Sequence, residues 1–416
     1  MIRYHAAWIV PIEGEPIRDG WVTVDRGRIV ALGRRAANDA TRGVELGDVA
    51  VMPGLVNAHT HLELSYLRDQ IAPSSSFTAW ARQIIDERRT RMQQSQRDPA
   101  VAAAIDTGID ECLRCGTAVI GDIGNTHAAF RKIAASPLAG VFFWELIGFN
   151  LDADERGFDA IVAHAIDDLK ELPAADRLRA SLAAHAPYSV APLFFRAIKK
   201  AVSRMPFVPC SVHLAENVEE VELLKTGGGP WKTLMKDIGS WNPGWTAPGV
   251  SPVQYLDDMG FLDSRLLAVH GVQMSAGDLE TLRKRGVTLV TCPRSNGHTG
   301  AGVPPIVDFY ESGVRVAIGT DSLASSPDLN VFAEVATLHA LAPSVSPAAL
   351  LESATIQGAR ALGLDADYGT IEPGKLSRLV AVDVPPGTGD VEEYLVSGIY
   401  PGQIRWLEAG SAGKAG

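Results

Sequence analysis

Apolar residues recur along this chain in short runs, and longer amphipathic stretches lie between them from about residue 51 onward. The runs at 51–57, 117–122, 140–146, 179–185, 208–213, 266–270, 288–292 and 315–319 read as strands. The stretches at 77–94, 100–112, 158–172, 192–204 and 275–285 read as helices. Eight strands alternating with helices predict an α/β fold, a (β/α)8 TIM barrel.

The two ends read differently. Residues 1–50 hold short strands at 6–10, 21–24 and 28–32, divided by turn residues such as Asp19-Gly20 and Arg26-Gly27. Past the eighth strand come helices at 329–341 and 347–362, and then β-like text returns at 369–371 and 379–384. Neither end has enough strands to bury a face alone. The expected organisation is therefore a small composite β-sandwich domain from 1–50 and 369–408, flanking a catalytic barrel at 51–368. The Gly/Ala/Ser-rich residues 410–416 read as a frayed tail. One insertion, 226–252, is long for a barrel loop and carries Trp231, Trp241 and Trp245. It follows the fifth strand and so lies over the barrel mouth, either as a substrate lid or as a loop packed on its own barrel or on another subunit.

Barrel enzymes carry their sites at the carboxyl ends of the strands. Those ends hold His59 and His61, then Asp122, Glu145, His185, His213 with Glu216, His270, the run 294–296, and Asp321. An open doubly wound sheet would not need polar residues at nearly every strand end. The pair His59-Thr60-His61 is the most pointed of these, because side chains at i and i+2 of extended chain project to one side and can share a metal ion.

Composition narrows the function. Hydrophobic residues make up 46% and charged residues 21%, an ordinary globular balance, and the net charge of −11 argues against nucleic acid or an anionic membrane surface as partner. A small-molecule substrate fits better. The four cysteines, Cys112, Cys115, Cys210 and Cys292, include a C-x-x-C spacing with no second close Cys or His pair to complete a zinc site, so they read as reduced structural thiols. No signal-peptide pattern opens the chain, and no run approaches the ~20 apolar residues of a membrane span, so the expected location is cytoplasmic.

The segments PGLVNAHTHLELS, HAPYS at 185–189, HLAEN at 213–217, VHG at 269–271, CPRSN at 292–296 and GTDSLAS at 319–325 together resemble the amidohydrolase superfamily. The likeness is greatest to its branch of cytosine deaminases, chlorohydrolases and S-adenosylhomocysteine deaminases. It spans nearly the whole chain, including GTIEPGK at 369–375 in the returning β-region. The resemblance implies a metal-bearing barrel, a composite β-sandwich and a homodimer.

Beside it, the residues themselves suit one divalent cation: three imidazoles and a carboxylate, His59, His61, His213 and Asp321, fit Zn²⁺, and Fe²⁺ fits by ligand type as well. A cation so held lowers the pKa of water from 15.7 to roughly 7. Glu216 lies three residues beyond His213, placed for a general acid and proton shuttle rather than a ligand. His270 reads either as a second-metal ligand or as a base and electrophile near the attacking water. The superfamily's two-metal sites use a lysine at the end of strand four; this chain has His185 there and no lysine in 177–196, which favours one metal. Glu145 is the one residue able to bridge a second.

His185, Glu63, Trp80, Glu145 and Ser322 are then expected to contact substrate. Tyr188 and Arg82 are further candidates, and Trp80 and Arg82 are equally explained as barrel cover. The implied reaction is hydrolytic deamination of a nitrogen heterocycle, with Glu216 protonating the ring nitrogen while His270 and Asp321 manage the proton from water. The resemblance favours an adenine ring on a ribose modified at its 5′ position. CPRSN and GTDSLAS are similar to the menaquinone-pathway deaminases of 6-amino-6-deoxyfutalosine, with S-adenosylhomocysteine, methylthioadenosine and adenosine as alternatives. The other enzymatic reading is a chlorohydrolase or other hydrolase of a nitrogen heterocycle; a third is a non-catalytic scaffold.

Overall fold

Eight short strands, each followed by at least one helix, make a parallel sheet whose hydrogen-bonded order is the order of the chain. The computed structural model describes residues 1–36, 42–92, 99–151, 153–205 and 208–407. The barrel strands are Leu55–Thr60, Thr117–Gly124, Ala139–Leu146, Leu178–Ala184, Cys210–Leu214, Leu266–His270, Thr288–Thr291 and Arg315–Ile318. Most of their residues are buried on both faces, as strands must be when helices cover the outside and side chains fill the inside.

The eighth strand returns to the first. Backbone N–H groups of Thr320 and Asp321 both donate to the His59 carbonyl at 3.1 Å. The amide of Asn57 donates to the Thr320 hydroxyl at 2.7 Å and accepts from its backbone N–H at 3.0 Å. These bonds draw the end of strand eight against the end of strand one, which brings Asp321 to the two histidines.

The apolar run 51–57, read from sequence as one strand, is two in the structure. Val49–Pro53 pairs with Ile2–Ile9 and with Leu379–Asp383 in a separate seven-stranded mixed sheet, and the barrel begins at Leu55. The change of sheet falls at Gly54, where a Cβ would meet Ala118 at 2.7 Å and where the N–H donates to the Arg378 carbonyl at 2.8 Å. The small sheet joins Ile2–Ile9, Ile17–Asp25 and Arg28–Arg34 from the N-terminal end with Leu379–Asp383 and Ile404–Trp406 from the C-terminal end, around its own apolar core that includes Val22, Ile29, Val51 and Leu379. Both chain ends thus build one sheet.

The stretch 347–362 also divides, into helices Pro347–Ser353 and Ile356–Ala361. Thr355 between them leaves helical geometry (φ −137°, ψ −92°), and the Ala354 carbonyl accepts from Val56 N–H on the first barrel strand at 2.8 Å. The first helix of the barrel region is Phe77–Met92; its expected extension to Gln94, and the tail 410–416, lie outside the described residues. All four cysteines are buried free thiols, and burial pushes Cys115 and Cys210 up to about 12, which makes them unreactive. Among the described residues no helix is long and apolar enough to cross a membrane.

Gly319 sits where strand eight meets strand one. A Cβ there would lie 2.7 Å from His59 Cβ and 2.8 Å from the His59 carbonyl oxygen. Gly319→Ala is expected to lower unfolding stability by roughly 1–3 kcal/mol through overpacking, read from the midpoint of urea unfolding, with a matching loss of metal affinity.

Candidate active site

His59, the last histidine within strand one, is fully buried, and neither of its ring nitrogens has a hydrogen-bond partner. Burying an imidazole in that state is costly unless something else satisfies it. Its neighbours supply the answer. His61 lies just past the strand end with ring centroids 4.9 Å apart, His213 ends strand five at 5.0 Å, and His270 ends strand six at 5.7 Å. Asp321 Oδ1 stands 4.0 Å from His59 Nε2 and 3.7 Å from His61 Nε2. These separations are too long for hydrogen bonds and suit groups that share one ion at bond lengths of about 2.0–2.2 Å. Two sets of three potential ligand atoms close to one another, His59 with His61 and Asp321, and His59 with His213 and His270, overlap at His59.

The far sides of these rings are held by the protein. His213 Nδ1–H donates to the His185 carbonyl at 2.9 Å, and His270 Nδ1–H donates to Asn296 Oδ1 at 2.8 Å. In the neutral rings that leaves the lone pair on Nε2. Asp321 Oδ2 accepts from the Ser295 hydroxyl at 2.6 Å and from Ser325 at 3.2 Å, and Oδ1 accepts from Ser322 N–H at 2.7 Å. Burial raises the Asp321 carboxyl, but His61, His59, His270 and the Ser295 hydroxyl outweigh it and hold it at about 2. His59 and His213 are lowered well below the ordinary imidazole value, first by burial and then by neighbouring imidazoles; burial also lowers His270. A deprotonated carboxylate beside uncharged imidazoles is the protonation state a divalent cation binds. The donor set therefore fits a cation, with His59, His61, His213 and Asp321 able to hold it.

Backbone strain concentrates here. Ala215, His270 and Asp321 have φ of 50°, 79° and 58°, left-handed values that favour glycine. Each lies where a strand turns into its loop and must aim a side chain back over the barrel axis.

Glu216 follows the first of those turns. It is buried, lines the cavity, and its Oε1 lies 3.4 Å from His270 Nε2. Burial, and then the charges of Asp321 and Glu220, raise it well above the usual carboxylate range, which favours the protonated acid. The cavity above these groups holds about 400 Å³ and is walled by Trp80, Ile84, Ile147, Phe149, Trp231 and Met235 among others. Trp231, from the insertion, lies on the helix Gly229–Asp237; it stacks on Tyr188 at 3.9 Å and donates its indole N–H to Asn217 Oδ1 at 3.0 Å. Trp241 and Trp245 pack on Phe149, so the insertion packs over its own barrel mouth.

Of the expected substrate contacts, His185, Trp80, Glu145, Ser322 and Tyr188 line this cavity. His185 bonds through Nδ1 to the Ser189 hydroxyl at 2.5 Å, and burial lowers its pKa to about 4. Glu145 is aligned by the Asn125 amide at 2.8 Å and leaves Oε1 buried without a hydrogen-bond partner; burial raises its pKa. Glu63 is placed differently. Its carboxylate is taken up by the N–H groups of Asn125 and Thr126 and by the Thr126 hydroxyl, all at 3.0 Å, with Arg88 at 3.4 Å, and it fixes the loop after strand two rather than lining the cavity. Asp122 is buried beneath the site and accepts from Leu62 N–H at 2.8 Å. Arg82 pairs with Asp237, and Arg294 pairs with Asp328 and the buried Glu334 rather than lining the cavity. Sequence reasoning missed Arg88, Asn125, Ser295 as a support of Asp321, and Glu220, which accepts from the backbone beside Glu216.

A ring of imidazoles and a carboxylate at the carboxyl ends of barrel strands, with an acid beside it, defines a metal-dependent barrel hydrolase. The chain belongs to the amidohydrolase family, whose profile matches residues 50–403. It is 30% identical over 408 residues to the 5-methylthioadenosine/S-adenosylhomocysteine deaminase of Moorella thermoacetica, covering 93% of this chain and 88% of that protein. It is 32% identical over 330 residues to the aminodeoxyfutalosine deaminase of Deinococcus radiodurans, covering 77% of this chain and 75% of that one. Among solved structures it is similar to an adenosine deaminase from Xanthomonas campestris with bound zinc, at 27% identity and a TM-score of 0.77, over 98% of this chain and 92% of that one.

Four buried histidines held below their ordinary pKa give a pH dependence with a definite sign. Unfolding returns each imidazole to about 6.5, so below that pH the histidine contribution to stability falls, while the buried carboxyls raised above their ordinary values, Glu216 and Glu220 among them, contribute stability that is lost as pH rises and so act in the opposite sense. The difference in stability between chelator-treated parent and chelator-treated His185→Asn isolates one such contribution: it should be constant above about pH 6.5 and shift against the parent as pH falls toward 4, the value to which His185 is lowered. Each histidine that charges only on unfolding contributes about 1.4 kcal/mol per pH unit within that window. A difference in urea midpoint between parent and His185→Asn that does not change between about pH 7.5 and 5 would contradict the buried, neutral state of that ring.

Proposed function

We propose that this amidohydrolase-family protein deaminates an adenine nucleoside hydrolytically at its 6-amino group, using one divalent cation held by His59, His61, His213 and Asp321. The observation that carries the reading is Glu216: a buried carboxyl raised toward its protonated form, facing the cavity beside the histidine and aspartate cluster, 3.4 Å from His270. An acid in this place suits protonation of the ring nitrogen beside the reacting carbon, which an amine needs in order to leave an aromatic ring; a chlorohydrolase would use the same proton. The cation, when bound, supplies a water whose pKa is brought near neutrality. The donor set suits zinc and iron alike, and the zinc in the Xanthomonas campestris structure favours zinc.

The chain's own groups divide the proton work. Glu216 donates to the ring nitrogen next to the amino-bearing carbon. His270, with Nδ1 tied to Asn296, offers Nε2 to accept a proton from water with the assistance of Asp321 Oδ1; that proton passes to the departing amine, which leaves as ammonia, and the remaining proton of the new hydroxyl restores Glu216. His185 and Glu145 flank the floor where the ring and ribose would lie, the unpartnered Glu145 Oε1 suiting a ribose hydroxyl.

The walls bear on the 5′ substituent. Arg88 is the one lysine or arginine among the described residues lining the cavity, and its three acids, Glu145, Glu216 and Asp321, all lie near the histidine cluster. An amino-acid tail, as in S-adenosylhomocysteine, would find no carboxylate in the outer cavity for its ammonium group. An apolar tail ending in an acid suits the apolar wall and Arg88. That favours 6-amino-6-deoxyfutalosine over S-adenosylhomocysteine, methylthioadenosine and adenosine, and agrees with the aminodeoxyfutalosine deaminase of Deinococcus radiodurans among its relatives. The menaquinone-pathway role, the homodimer and the cytoplasmic location come with the sequence reading.

The reading is tested by an ammonia-release screen of metal-loaded protein. 6-Amino-6-deoxyfutalosine should give the highest kcat/KM, with a shift in ultraviolet absorbance as the 6-amino group becomes 6-oxo. Chloride release from a triazine, with no ammonia from any purine, would move the protein to the chlorohydrolase reading.

Metal analysis separates ligands from acid. Protein purified without chelator should hold close to one equivalent, and His61→Ala or Asp321→Ala should lose most of it. Glu216→Gln should keep the metal and an inhibitor's affinity while kcat falls by roughly 10²-fold or more. Two equivalents of metal would point instead to Glu145 as a bridge.

A further inference from the structure

The turn that carries Glu216 is held by a carboxyl group with no other visible task. Glu220 is fully buried, one turn along the helix Val218–Thr226. Its Oε1 accepts from Ala215 N–H at 3.1 Å and its Oε2 from Glu216 N–H at 2.9 Å. These are successive amides of a turn in which Ala215 has φ of 50°. The Ala215 carbonyl is fixed as well, accepting from Gln273 N–H at 2.8 Å just past strand six. The helix behind is anchored by Asn217, whose Oδ1 accepts from Glu220 N–H at 2.8 Å and from the Trp231 indole. An alanine adopts a left-handed φ only where its surroundings impose it. Two hydrogen bonds from adjacent amides to one fully buried side chain are such an imposition.

We propose that Glu220 is a positioning residue for deamination: its carboxyl group holds the strained Ala215-Glu216 turn and thereby aims the Glu216 side chain at the ring nitrogen of the substrate. The inference rests on the reading of Glu216 as proton donor. Glu220 touches neither the cavity nor the histidine cluster, so its effect reaches the reaction only through Glu216. Glutamine is the informative replacement, because it keeps the shape but presents one acceptor oxygen and turns an NH₂ toward the other backbone N–H.

The experiment is a cycle of Glu216→Gln, Glu220→Gln and the double variant in metal-loaded protein, with adenosine-type substrates. Metal content, kcat, KM and thermal melting are measured for each. Glu220→Gln should retain one equivalent of metal and a KM within about threefold, while kcat falls roughly 10- to 100-fold, the range that one unrelieved backbone strain commands. In the Glu216→Gln background the same change should alter kcat by less than about twofold, because the group it positions is already gone. Ala215→Gly added to Glu220→Gln should restore part of kcat, since glycine holds the left-handed turn without a clamp. A general structural defect would be neither masked by Glu216→Gln nor relieved by that glycine.

A Glu220→Gln protein with kcat within about twofold of the parent overturns the proposal. So do multiplicative losses in the double variant, loss of metal, or failure of both Glu220 variants to fold. Near-normal kcat in Glu216→Gln alone would instead overturn the assignment of the proton donor, a separate result from the same cycle.

Discussion

The site depends on one carbonyl oxygen. His59 C=O accepts from both Thr320 and Asp321 N–H groups, and in doing so it closes the barrel and sets the end of strand eight over the end of strand one. Everything that would bind a cation follows from that register. Asp321 Oδ1 comes within 4.0 Å of both His59 and His61 because its backbone is bonded to the strand that carries them. Gly319 allows the approach, since any side chain there would strike His59. The Asn57 amide, two residues back along the same face, locks Thr320 from the other side. A slip of one residue would carry all of these groups to the wrong side of the sheet.

Closing the barrel also buries imidazoles that water would otherwise satisfy. The protein holds the far nitrogen of two of these rings, His213 through a backbone carbonyl and His270 through Asn296, and leaves the near nitrogens facing one another. Four imidazoles and a carboxylate so arranged are poorly stable as an isolated protein cluster and well suited to a divalent cation. The same burial that lowers the histidines raises Glu216, because it penalises the charged form whichever sign that form has. One enclosure thus favours uncharged imidazoles and an uncharged Glu216 together. Two carboxyls in one cavity, a depressed Asp321 and a raised Glu216, are thereby suited to different tasks, the one to binding a cation and the other to donating a proton.

How far the sequence reached can be read residue by residue. His59, His61, His213 and Asp321 were legible because each stands where an apolar strand gives way to loop, and a parallel barrel sends all such positions to one rim. Glu63 shows where that reasoning stops. Its parity with His59 and His61 predicts a side chain facing the cavity, but the chain leaves extended geometry after His61 and winds into a 3-10 turn at Leu62–Leu67, so parity no longer applies. Its partners Asn125 and Thr126 come from the next strand's loop, about sixty positions away, and no local pattern announces them. The change of sheet at Gly54 was hidden for a related reason. An apolar run reads the same in either sheet, and only the Arg378 carbonyl waiting across the boundary distinguishes them.

The strained turns explain why the carboxyl ends of these strands can hold chemistry at all. A strand that simply continued would carry its next residues out of the barrel mouth, with their side chains alternating between the two faces. At Ala215, His270 and Asp321 the chain instead turns through left-handed geometry, which aims the following or resident side chain back across the mouth. Such turns persist only where the surroundings outweigh their cost. Here the surroundings are specific: Glu220 beneath Ala215, Asn296 behind His270, and the paired hydroxyls of Ser295 and Ser325 behind Asp321. These supports lie one layer back from the reacting groups, in the helices that follow strands five and seven and in the loop after strand eight. A glutamate, an asparagine and two serines in those segments would pass for ordinary surface or capping residues. Their burial shows that the barrel has placed them inside, where an unpartnered polar group is expensive and a partnered one fixes geometry.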